Sequence, residues 1–213
     1  FVVHLMQGGR ITPDAKVAKK PRGGLVRWRF EEHDALLLSE FGTEHRAGVW
    51  VAPIDELPTL DPFDGLGPDI DSLDTDGVGA VLADAGGSRL HGVLRDQRRW
   101  AGVGRRLANE ICWTARLSPF TPASSIDSAA VAELTDAIRH TVATSIDDER
   151  SRDEMVRSTE RLSSVHRRAG DECPRCGDTV AAVTYRSYEV DYCPTCQTGG
   201  RRLADNTTSK FLK

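Results

Sequence analysis

Two Cys-x-x-Cys pairs near the C-terminal end constrain the fold of this chain more than any other feature. The pairs are Cys173-Pro-Arg-Cys176 and Cys193-Pro-Thr-Cys196, and sixteen residues lie between them. Each pair can present two thiolates at one turn, and four thiolates complete the tetrahedral coordination that Zn²⁺ prefers. The spacing therefore predicts one structural Zn²⁺ with no coordination position open to water or substrate. Two disulfides, or four unrelated thiols, are the alternative.

The segment between the pairs predicts a β-hairpin. Residues 179–192 are long enough for two short strands, and the first half is rich in β-branched and aromatic residues. The fifth cysteine, Cys112, falls in a helical pattern, and we expect it to be buried there. Four cysteines on a metal and one in a core suit a reducing, cytoplasmic compartment.

The formal net charge of −4 argues, by itself, against a nucleic-acid partner. The distribution of charge argues for one. Residues 55–84 hold nine acids and no Lys or Arg, whereas residues 89–106 hold six arginines and one acid, Asp96. Two further basic runs are Lys16, Lys19, Lys20 and Arg22, and Arg201, Arg202, Lys210 and Lys213. Any one run could be a solvated face, but three of them beside a zinc finger favour a nucleic acid.

The pattern of short apolar runs predicts an α+β multidomain chain. Residues 1–52 are interpreted as the C-terminal part of a β-sandwich domain, with strands at 1–6, 24–30, 35–39 and 47–51. Residues 53–77, rich in Pro and Asp, are an acidic linker. Residues 78–168 have helical periodicity, and residues 169–213 form the zinc finger. The predicted fold is a partial N-terminal β-sandwich, a helical domain and a C-terminal zinc-finger β-hairpin with four cysteine ligands.

Within the helical region we predict four elements. They are a short helix at 78–83, a helix capped by Ser88 that runs to about Asp96, a helix after Gly104, and a longer helix capped by Asp127. Residues 147–168 are a candidate for a further helix. Trp50, Trp100 and Trp113 are expected in the core, Glu110 is expected to support the helix turn, and Asn109 is a candidate polar link between two helices.

The turn at Gly102-Val103-Gly104 is the strongest candidate for contact with phosphate. Glycines at a helix start leave backbone N–H groups accessible at the positive end of the helix dipole. Arg105 follows the turn, and Arg98 and Arg99 precede it. Glycine is also common at helix starts for steric reasons alone, so the interpretation depends on the flanking arginines.

This series of elements resembles the formamidopyrimidine-DNA glycosylase / endonuclease VIII family of base-excision repair enzymes. Val3-His4-Leu5 with Gly8-Gly9-Arg10 resembles the strand with the intercalating loop, and Leu66-Gly67-Pro68-Asp69 resembles the linker. Residues 94–97, 102–104 and 108–110 resemble the helix–two-turn–helix motif, followed by Pro119 and residues 122–125. Residues 173–197 are similar to the zinc finger. The resemblance covers nearly all of the chain.

The resemblance implies an activity. Family members bend duplex DNA that carries a damaged base or an abasic site, flip the damaged base out and fill the gap with loop side chains. A processed N-terminal proline attacks the sugar C1′ and forms a Schiff base, and a neighbouring glutamate assists proton transfer. We expect that proline, that glutamate and the catalytic lysine of the family to lie upstream of Phe1. The chain does not begin with Met, so we interpret it as an inactive fragment of an active parent.

The resemblance also implies DNA contacts, with departures from the family pattern. Arg105, next to Gly104, stands where formamidopyrimidine-type members have Asn. The void-filling Arg-Arg-Phe-Gly is His45-Arg46-Ala47-Gly48 here, and the Met wedge is shifted to Met6 or replaced by Gln7. In the finger, Tyr188 stands near the expected Arg, so Arg186 is predicted to contact phosphate. These features, and a short stretch before Val165, favour the endonuclease VIII-like branch. The predicted DNA-binding set is Gln7, His45, Arg46, Arg98, Gly104, Arg105 and Arg186.

Two other functions are compatible with these residues. One is a non-catalytic paralogue that binds damaged DNA, and the other is a zinc-ribbon module of a transcription or translation assembly. No apolar run approaches the ~18–20 residues that a membrane span needs, and the first residues lack the pattern of a signal peptide. We expect a cytoplasmic, nucleoid-associated monomer of bacterial type, with duplex DNA as its partner and no membrane contact.

Overall fold

The computed structural model describes residues 1–6, 8–41, 45–61, 63–152, 160–185 and 188–203. The chain divides into two compact units, Phe1–Gly65 and Leu66–Lys213. The division lies inside the segment that its acidic composition predicts as a linker.

The first unit consists of short antiparallel strands. β1 (Val2–His4) pairs with β5 (Gly48–Trp50), with Val2 opposite Trp50. β2 (Gly9–Pro13), β3 (Gly24–Trp28) and β4 (Leu36–Glu40) form a three-stranded sheet in the order β2-β4-β3. Leu38, on the central strand, is fully buried. A 3₁₀ segment, Ile54–Thr59, follows the strands.

The four predicted strands are present, with bounds shifted by up to two residues, but the sequence prediction omitted β2. Glycine at its start and Pro13 at its end are residues that normally interrupt strands. Pro13 is tolerated here because β2 lies at the edge of its sheet, where a missing N–H breaks no ladder.

The second unit is built on four helices and a hairpin. The helices are α1 (Thr75–Ala85), α2 (Leu90–Leu94), α3 (Arg105–Thr114) and α4 (Ser128–Arg150), with 3₁₀ segments at Ile70–Ser72 and Ala123–Ser125. They enclose a core whose fully buried side chains include Val78, Leu94, Trp100, Ile111 and Leu134. The burial of Trp100 and of Cys112 in this core confirms the predictions for these two residues, whereas Trp50 and Trp113 are only half-buried.

Two predicted helix starts are wrong, and both errors have local causes. α1 begins at Thr75 because the Asp74 carboxylate accepts the N–H of Gly77 (2.8 Å), so residues 75–77 belong to the helix. Ser88 does not cap α2, whose N-cap is Arg89. The backbone carbonyls of Thr121 and Pro119 accept the N–H groups of Leu90 and His91 instead (both 2.9 Å). A tertiary contact thus replaces the side-chain cap.

The longest helix agrees with its predicted start. The Asp127 side chain accepts the N–H of Ala130 (2.9 Å) at the N-terminus of α4, which confirms Asp127 as the cap. The candidate helix at 147–168 is present only as far as Arg150. Residues 160–168 contain turns, and residues 153–159 lie outside the described ranges.

Residues 66–70 pack closely against the turn that precedes α3. The N–H of Gly67 donates to Gln97 O (2.8 Å), and the N–H of Ala101 donates to Pro68 O (2.7 Å). A Cβ at Gly67 would lie 2.5 Å from the Arg99 carbonyl carbon. Glycine is required here because backbone passes over backbone, so part of the predicted linker is integral to the helical unit.

The predicted hairpin is confirmed. β6 (Ala181–Thr184) and β7 (Glu189–Tyr192) pair antiparallel, with Val183 opposite Val190, and a one-turn helix, α5 (Pro194–Gln197), follows. Within the described ranges, none of the helices combines the length and the apolar composition that crossing a bilayer requires.

Candidate metal centre and nucleic-acid interface

The four cysteines of the two Cys-x-x-Cys pairs lie together at the base of the hairpin. Their Sγ atoms all lie within 4.8 Å of one another. The Cys173–Cys196 pair is separated by 4.0 Å and the Cys176–Cys193 pair by 3.4 Å. In a tetrahedral Zn²⁺ site with Zn–S bonds of about 2.3 Å, the sulfurs would be about 3.8 Å apart. The cluster therefore has the donors and the spacing to hold a metal ion.

Hydrogen bonds around Cys173 favour its thiolate form. Burial raises the pKa of the Cys173 thiol. Hydrogen bonds from the indole of Trp113, from the backbone of Arg175 and Cys176 and from Cys193 outweigh the burial, and lower that pKa to about 6. The Trp113 Nε1–H donates to the Cys173 Sγ over 3.4 Å. Because Trp113 belongs to α3, this helix contributes directly to the cysteine cluster.

Trp113 attaches the cysteine cluster to α3, and Gln197 attaches it to the residues that follow this helix. The Arg175 guanidinium lies 3.8 Å from the centroid of the Trp113 ring and donates to Trp113 O (2.8 Å). Gln197 Nε2 donates to Leu117 O (3.0 Å), and its Oε1 accepts the Cys193 N–H (2.7 Å). These contacts give the hairpin a defined position on the helix.

Glu110 is a buried side chain of α3 that organises the chain leading to the finger. Its carboxylate accepts three backbone N–H groups, from Ser164 (2.7 Å), Val165 (3.0 Å) and His166 (2.9 Å). Three donors on one carboxylate act as an N-cap does, although no helix follows. The expectation that Glu110 supports the turn of its own helix is therefore wrong, because its partners are more than fifty residues away in the sequence.

Asn109, which precedes Glu110 in the sequence, joins α3 to the hairpin. Its Nδ2 donates to Asp191 Oδ2 in β7 (3.0 Å) and lies 3.0 Å from His166 Nδ1. The same Asp191 oxygen accepts the N–H of Arg167 (2.9 Å). Asn109 is thus a polar link between a helix and the finger, whereas the sequence predicted a link between two helices.

The glycine turn before α3 is braced by Gln97. The Gln97 Nε2 donates to Val103 O (2.7 Å) and its Oε1 accepts the Gly102 N–H (3.2 Å). Gly102 has a φ of +98°, which favours glycine on steric grounds. Gly104 has no such constraint: it is the N-cap of α3, no side chain caps it, and among the described residues a Cβ there would meet no atom within 4 Å. The second glycine therefore leaves the helix N-terminus open to a ligand.

The six arginines of residues 89–106 have two kinds of environment. Arg99 pairs with Asp84 (2.6 Å) and Asp96 (3.4 Å), Arg89 donates to Phe120 O (2.6 Å), and Arg106 donates to Leu162 O (3.2 Å). Those three support the fold. Arg98 and Arg105 are exposed, and Arg95 is half-buried.

The tip of the hairpin lies beside the start of α3. The Arg105 guanidinium carbon is 6.0 Å from the centroid of the Tyr188 ring, and the corresponding Arg95 atom is 4.6 Å from it. The sequence predicted Arg105 in the interface but overlooked Arg95. Its membership of the same basic run was the available signal. Arg186, also predicted to contact phosphate, lies outside the described residues.

In the first unit, the predicted void-filling residues are organised by Glu40. This buried carboxylate accepts the N–H groups of Arg46 (3.1 Å) and Ala47 (3.0 Å), and the His45 ring is 4.0 Å away. The hydrogen bond from Arg46 is the main cause of a lowered pKa at Glu40. No local pattern in the sequence indicated this role. Gln7, the other predicted contact in this unit, lies outside the described residues.

Sequence comparison identifies relatives with one recurring name. No family model matches the sequence. An "Uncharacterized formamidopyrimidine-DNA glycosylase-like protein" of Mycobacterium tuberculosis is 37% identical over 150 residues, which are 70% of this chain and 94% of that protein. "Formamidopyrimidine-DNA glycosylase" of Laribacter hongkongensis is 32% identical over 216 residues, 92% of this chain and 74% of the relative. The match with "Formamidopyrimidine-DNA glycosylase" of Chloroflexus aurantiacus is 35% identical and covers 51% of this chain but only 41% of that protein.

Solved structures with the same fold have low sequence identity. "Structure of MutM in complex with carbocyclic 8-oxo-G containing DNA" matches with a TM-score of 0.77 and 18% identity, over 92% of this chain and 73% of that chain. "Complex between the Lactococcus lactis Fpg and an abasic site containing DNA" matches with a TM-score of 0.73 and 19% identity, over 92% and 74%. The likeness confirms the predicted α+β fold class.

Proposed function

Because the chain belongs to the formamidopyrimidine-DNA glycosylase family, we propose that this protein repairs DNA as a bifunctional glycosylase and apurinic/apyrimidinic lyase that removes oxidised bases from duplex DNA. The relatives named above are glycosylases or glycosylase-like. The structural neighbours named above were solved with DNA that carries 8-oxo-G or an abasic site. The preference for the endonuclease VIII-like branch stays a prediction.

The observation that most supports a DNA partner is that Arg95, Arg105 and the open N-terminus of α3 lie together beside the hairpin tip in one compact unit. The open N-terminus of α3, with Gly104 and Arg105, lies beside the hairpin tip at Tyr188. A helix N-terminus offers N–H groups and a positive dipole to a phosphate, and arginine adds a full charge with planar donors. Arg98, exposed on the preceding turn, extends the positive surface. Because affinity for duplex DNA depends mainly on phosphate neutralisation, we assign this surface to one DNA strand.

The chemistry that the family resemblance implies needs a proline that we place outside residues 1–213. Its secondary amine adds to the sugar C1′ and loses its proton, and the glycosidic bond breaks as the base leaves with the electron pair and takes up a proton. The sugar ring then opens: the C1′–O4′ bond breaks, O4′ takes up a proton, and the bond from C1′ to the proline nitrogen becomes an iminium. The resulting iminium acidifies the C2′ proton. Removal of that proton breaks the C3′–O bond, and the electron pair leaves on the phosphate oxygen. We assign no catalytic residue to residues 1–213, and we expect this chain on its own to bind without turnover.

One structural Zn²⁺ is proposed for the cysteine cluster. Bound there, the ion holds Cys173, Cys176, Cys193 and Cys196 as thiolates and supplies folding energy to the hairpin. Trp113 orients Cys173, and Gln197 orients the backbone at Cys193. The reduced thiols that this site needs suit a cytoplasmic location, as the cysteine usage predicts. That the protein is a nucleoid-associated monomer stays a prediction.

Borohydride trapping of the full-length protein tests the enzymatic proposal. Incubated with a duplex that contains an abasic site, the protein is expected to form a covalent adduct when the iminium is reduced. Binding of the same duplex without any adduct would contradict the glycosylase and favour the non-catalytic, damage-binding paralogue. The matched control is the same protein with the N-terminal proline replaced by glycine, which leaves a primary amine of different reactivity on the same DNA-binding surface.

The salt dependence of binding tests the predicted phosphate contacts. Replacing Arg105 and Arg186 by alanine should weaken binding and reduce the slope of log K against log salt by about 0.9 for each phosphate that is no longer neutralised. The measurement is fluorescence anisotropy with an abasic-site duplex over a range of NaCl concentrations. A slope equal to that of the wild type would remove both arginines from the interface.

A further inference from the structure

The surroundings of Tyr188 are not explained by a structural role in the hairpin alone. It lies at the tip of the hairpin, where the ring of Tyr185 stacks on it with centroids 4.7 Å apart and planes only 9° from parallel. The Tyr185 N–H also donates to Tyr188 O (2.8 Å), which closes the tip. A half-buried tyrosine so constrained has a fixed ring orientation.

Two arginines of the helical region lie over that ring. Arg95 follows α2, and Arg105 is the first residue of α3. Their guanidinium carbons are 4.6 Å and 6.0 Å from the ring centroid, respectively. Both distances are within the range of a cation–π interaction. An aromatic ring attracts two like charges towards one point without neutralising either, which a carboxylate could not do.

Two acids of the same unit, Asp96 and Asp191, have partners of their own, and His91 lies near the ring. Asp96, the one acid of the basic run, pairs with Arg99. Asp191 accepts from Asn109 and from the Arg167 N–H. His91, whose ring lies 6.3 Å from Tyr188, is buried, and burial is the main cause that lowers its pKa to about 3, followed by the charge of Arg95. His91 is therefore neutral at physiological pH and does not repel the two guanidinium groups.

We propose that Tyr188 is a positioning residue, whose ring holds Arg95 and Arg105 as a paired site for a phosphodiester of the DNA strand. The inference rests on the proposed DNA partner and deepens it. The finger then contributes to phosphate binding through an aromatic platform, in addition to the contact predicted for Arg186. Two guanidinium groups on one platform lose less side-chain freedom on binding than two independent ones.

The test measures the affinity of the full-length protein for an abasic-site duplex, by anisotropy, as a function of NaCl. Arg95→Ala and Arg105→Ala should each reduce the salt slope by about 0.9. Tyr188→Leu changes no charge, yet it should weaken binding about 5-fold, since it removes both cation–π interactions. Tyr188→Phe keeps the ring and should stay within about 2-fold of the wild type. Arg150→Ala, which removes an exposed cation at the end of α4, is the matched charge control.

A double-mutant cycle separates positioning from direct contact. If Tyr188 acts through the two arginines, Tyr188→Leu should have less than about a 2-fold effect once both arginines are alanine. An equal effect in both backgrounds would overturn the inference, because the ring would then contact DNA itself. Zinc stoichiometry and thermal midpoint establish that each variant is folded.

Two outcomes distinguish this inference from the function on which it rests. If the wild type binds the duplex with a steep salt slope and Tyr188→Leu is unchanged, the positioning role alone is overturned. If the wild type does not bind duplex DNA, the positioning role and the proposed DNA-binding function are both overturned. Should Tyr188→Leu fail to fold, Arg95→Ala decides: a slope reduced no more than in Arg150→Ala contradicts the paired site.

Discussion

The helical core and the cysteine finger of the second unit are stabilised in different ways. Among the described residues, the helical core contains eighteen buried apolar side chains around Trp100. The cluster beneath the finger contains four, of which two, Cys173 and Cys193, are metal-ligand candidates. At about 1.5–3 kcal/mol per large side chain, burial can stabilise the first region but not the second. The finger therefore depends on its contacts with α3 and on the metal ion proposed for its four cysteines.

α3 belongs to both regions. One side of it, with Ala108, Ile111 and Cys112, is buried in the helical core. Asn109 and Glu110 bind the finger and the segment before it, and the N-terminus lies beside the hairpin tip. Contacts with α3 therefore fix where the finger lies, whereas the four cysteines organise the finger itself.

The largest expected effect is the disruption of the finger in Cys193→Ser. Three thiolates hold Zn²⁺ far less tightly than four, and metal binding supplies about 10–16 kcal/mol in zinc-finger peptides. We expect less than one Zn²⁺ per chain by atomic absorption, with the helical circular dichroism largely retained. Cys112→Ala, which changes a cysteine outside the cluster, should keep full zinc content. Stoichiometric zinc in Cys193→Ser would contradict the assignment of four cysteine ligands.

Leu94→Ala tests the stability of the helical core. Leu94 is fully buried at the end of α2, and a leucine-to-alanine change in a packed core lowers the free energy of unfolding by about 3–5 kcal/mol. Urea denaturation followed by circular dichroism measures the change. The exposed Leu162→Ala should change stability by less than about 0.5 kcal/mol. Equal effects in the two variants would mean that Leu94 is not part of a packed core.

Glu110→Gln tests the connection between the regions. The amide keeps the shape but loses the negative charge and one acceptor for the N–H groups of Ser164, Val165 and His166. We expect the free energy of unfolding to fall by about 2 kcal/mol, and Zn²⁺ to be released faster to a chelator, because the segment before the finger is no longer held. Glu133→Gln, on the exposed side of α4, is the control. Unchanged zinc release would show that the finger does not depend on Glu110.

Short-range sequence patterns predicted the elements whose stabilising residues lie close together in the chain. The two Cys-x-x-Cys pairs predicted a cluster that the structure assembles within 4.8 Å, and the β-branched run after Thr179 predicted the hairpin. Asp127 was predictable as a cap because its partner is three residues away. Ser88 failed as a cap because the N–H groups it would satisfy donate to the carbonyls of Thr121 and Pro119, far along the chain.

The candidate site was predictable only in part. Gly104 and Arg105 could be chosen from the glycine turn and the charge beside it. Arg95 could not be distinguished from the other arginines of its run, since which of them faces Tyr188 depends on where the hairpin lies. The seven predicted DNA contacts stay predictions, and Gln7 and Arg186 lie outside the described residues.

The sequence by itself determined the cysteine cluster, the amphipathic helices and the basic run, because each depends on spacings of a few residues. Only the tertiary structure decided that Glu110 caps a segment more than fifty residues away, that Asn109 reaches from α3 to Asp191 on the hairpin, and that Tyr188 lies beneath two arginines. These are contacts between groups that packing brings together, and no local pattern encodes the direction from which a distant partner arrives.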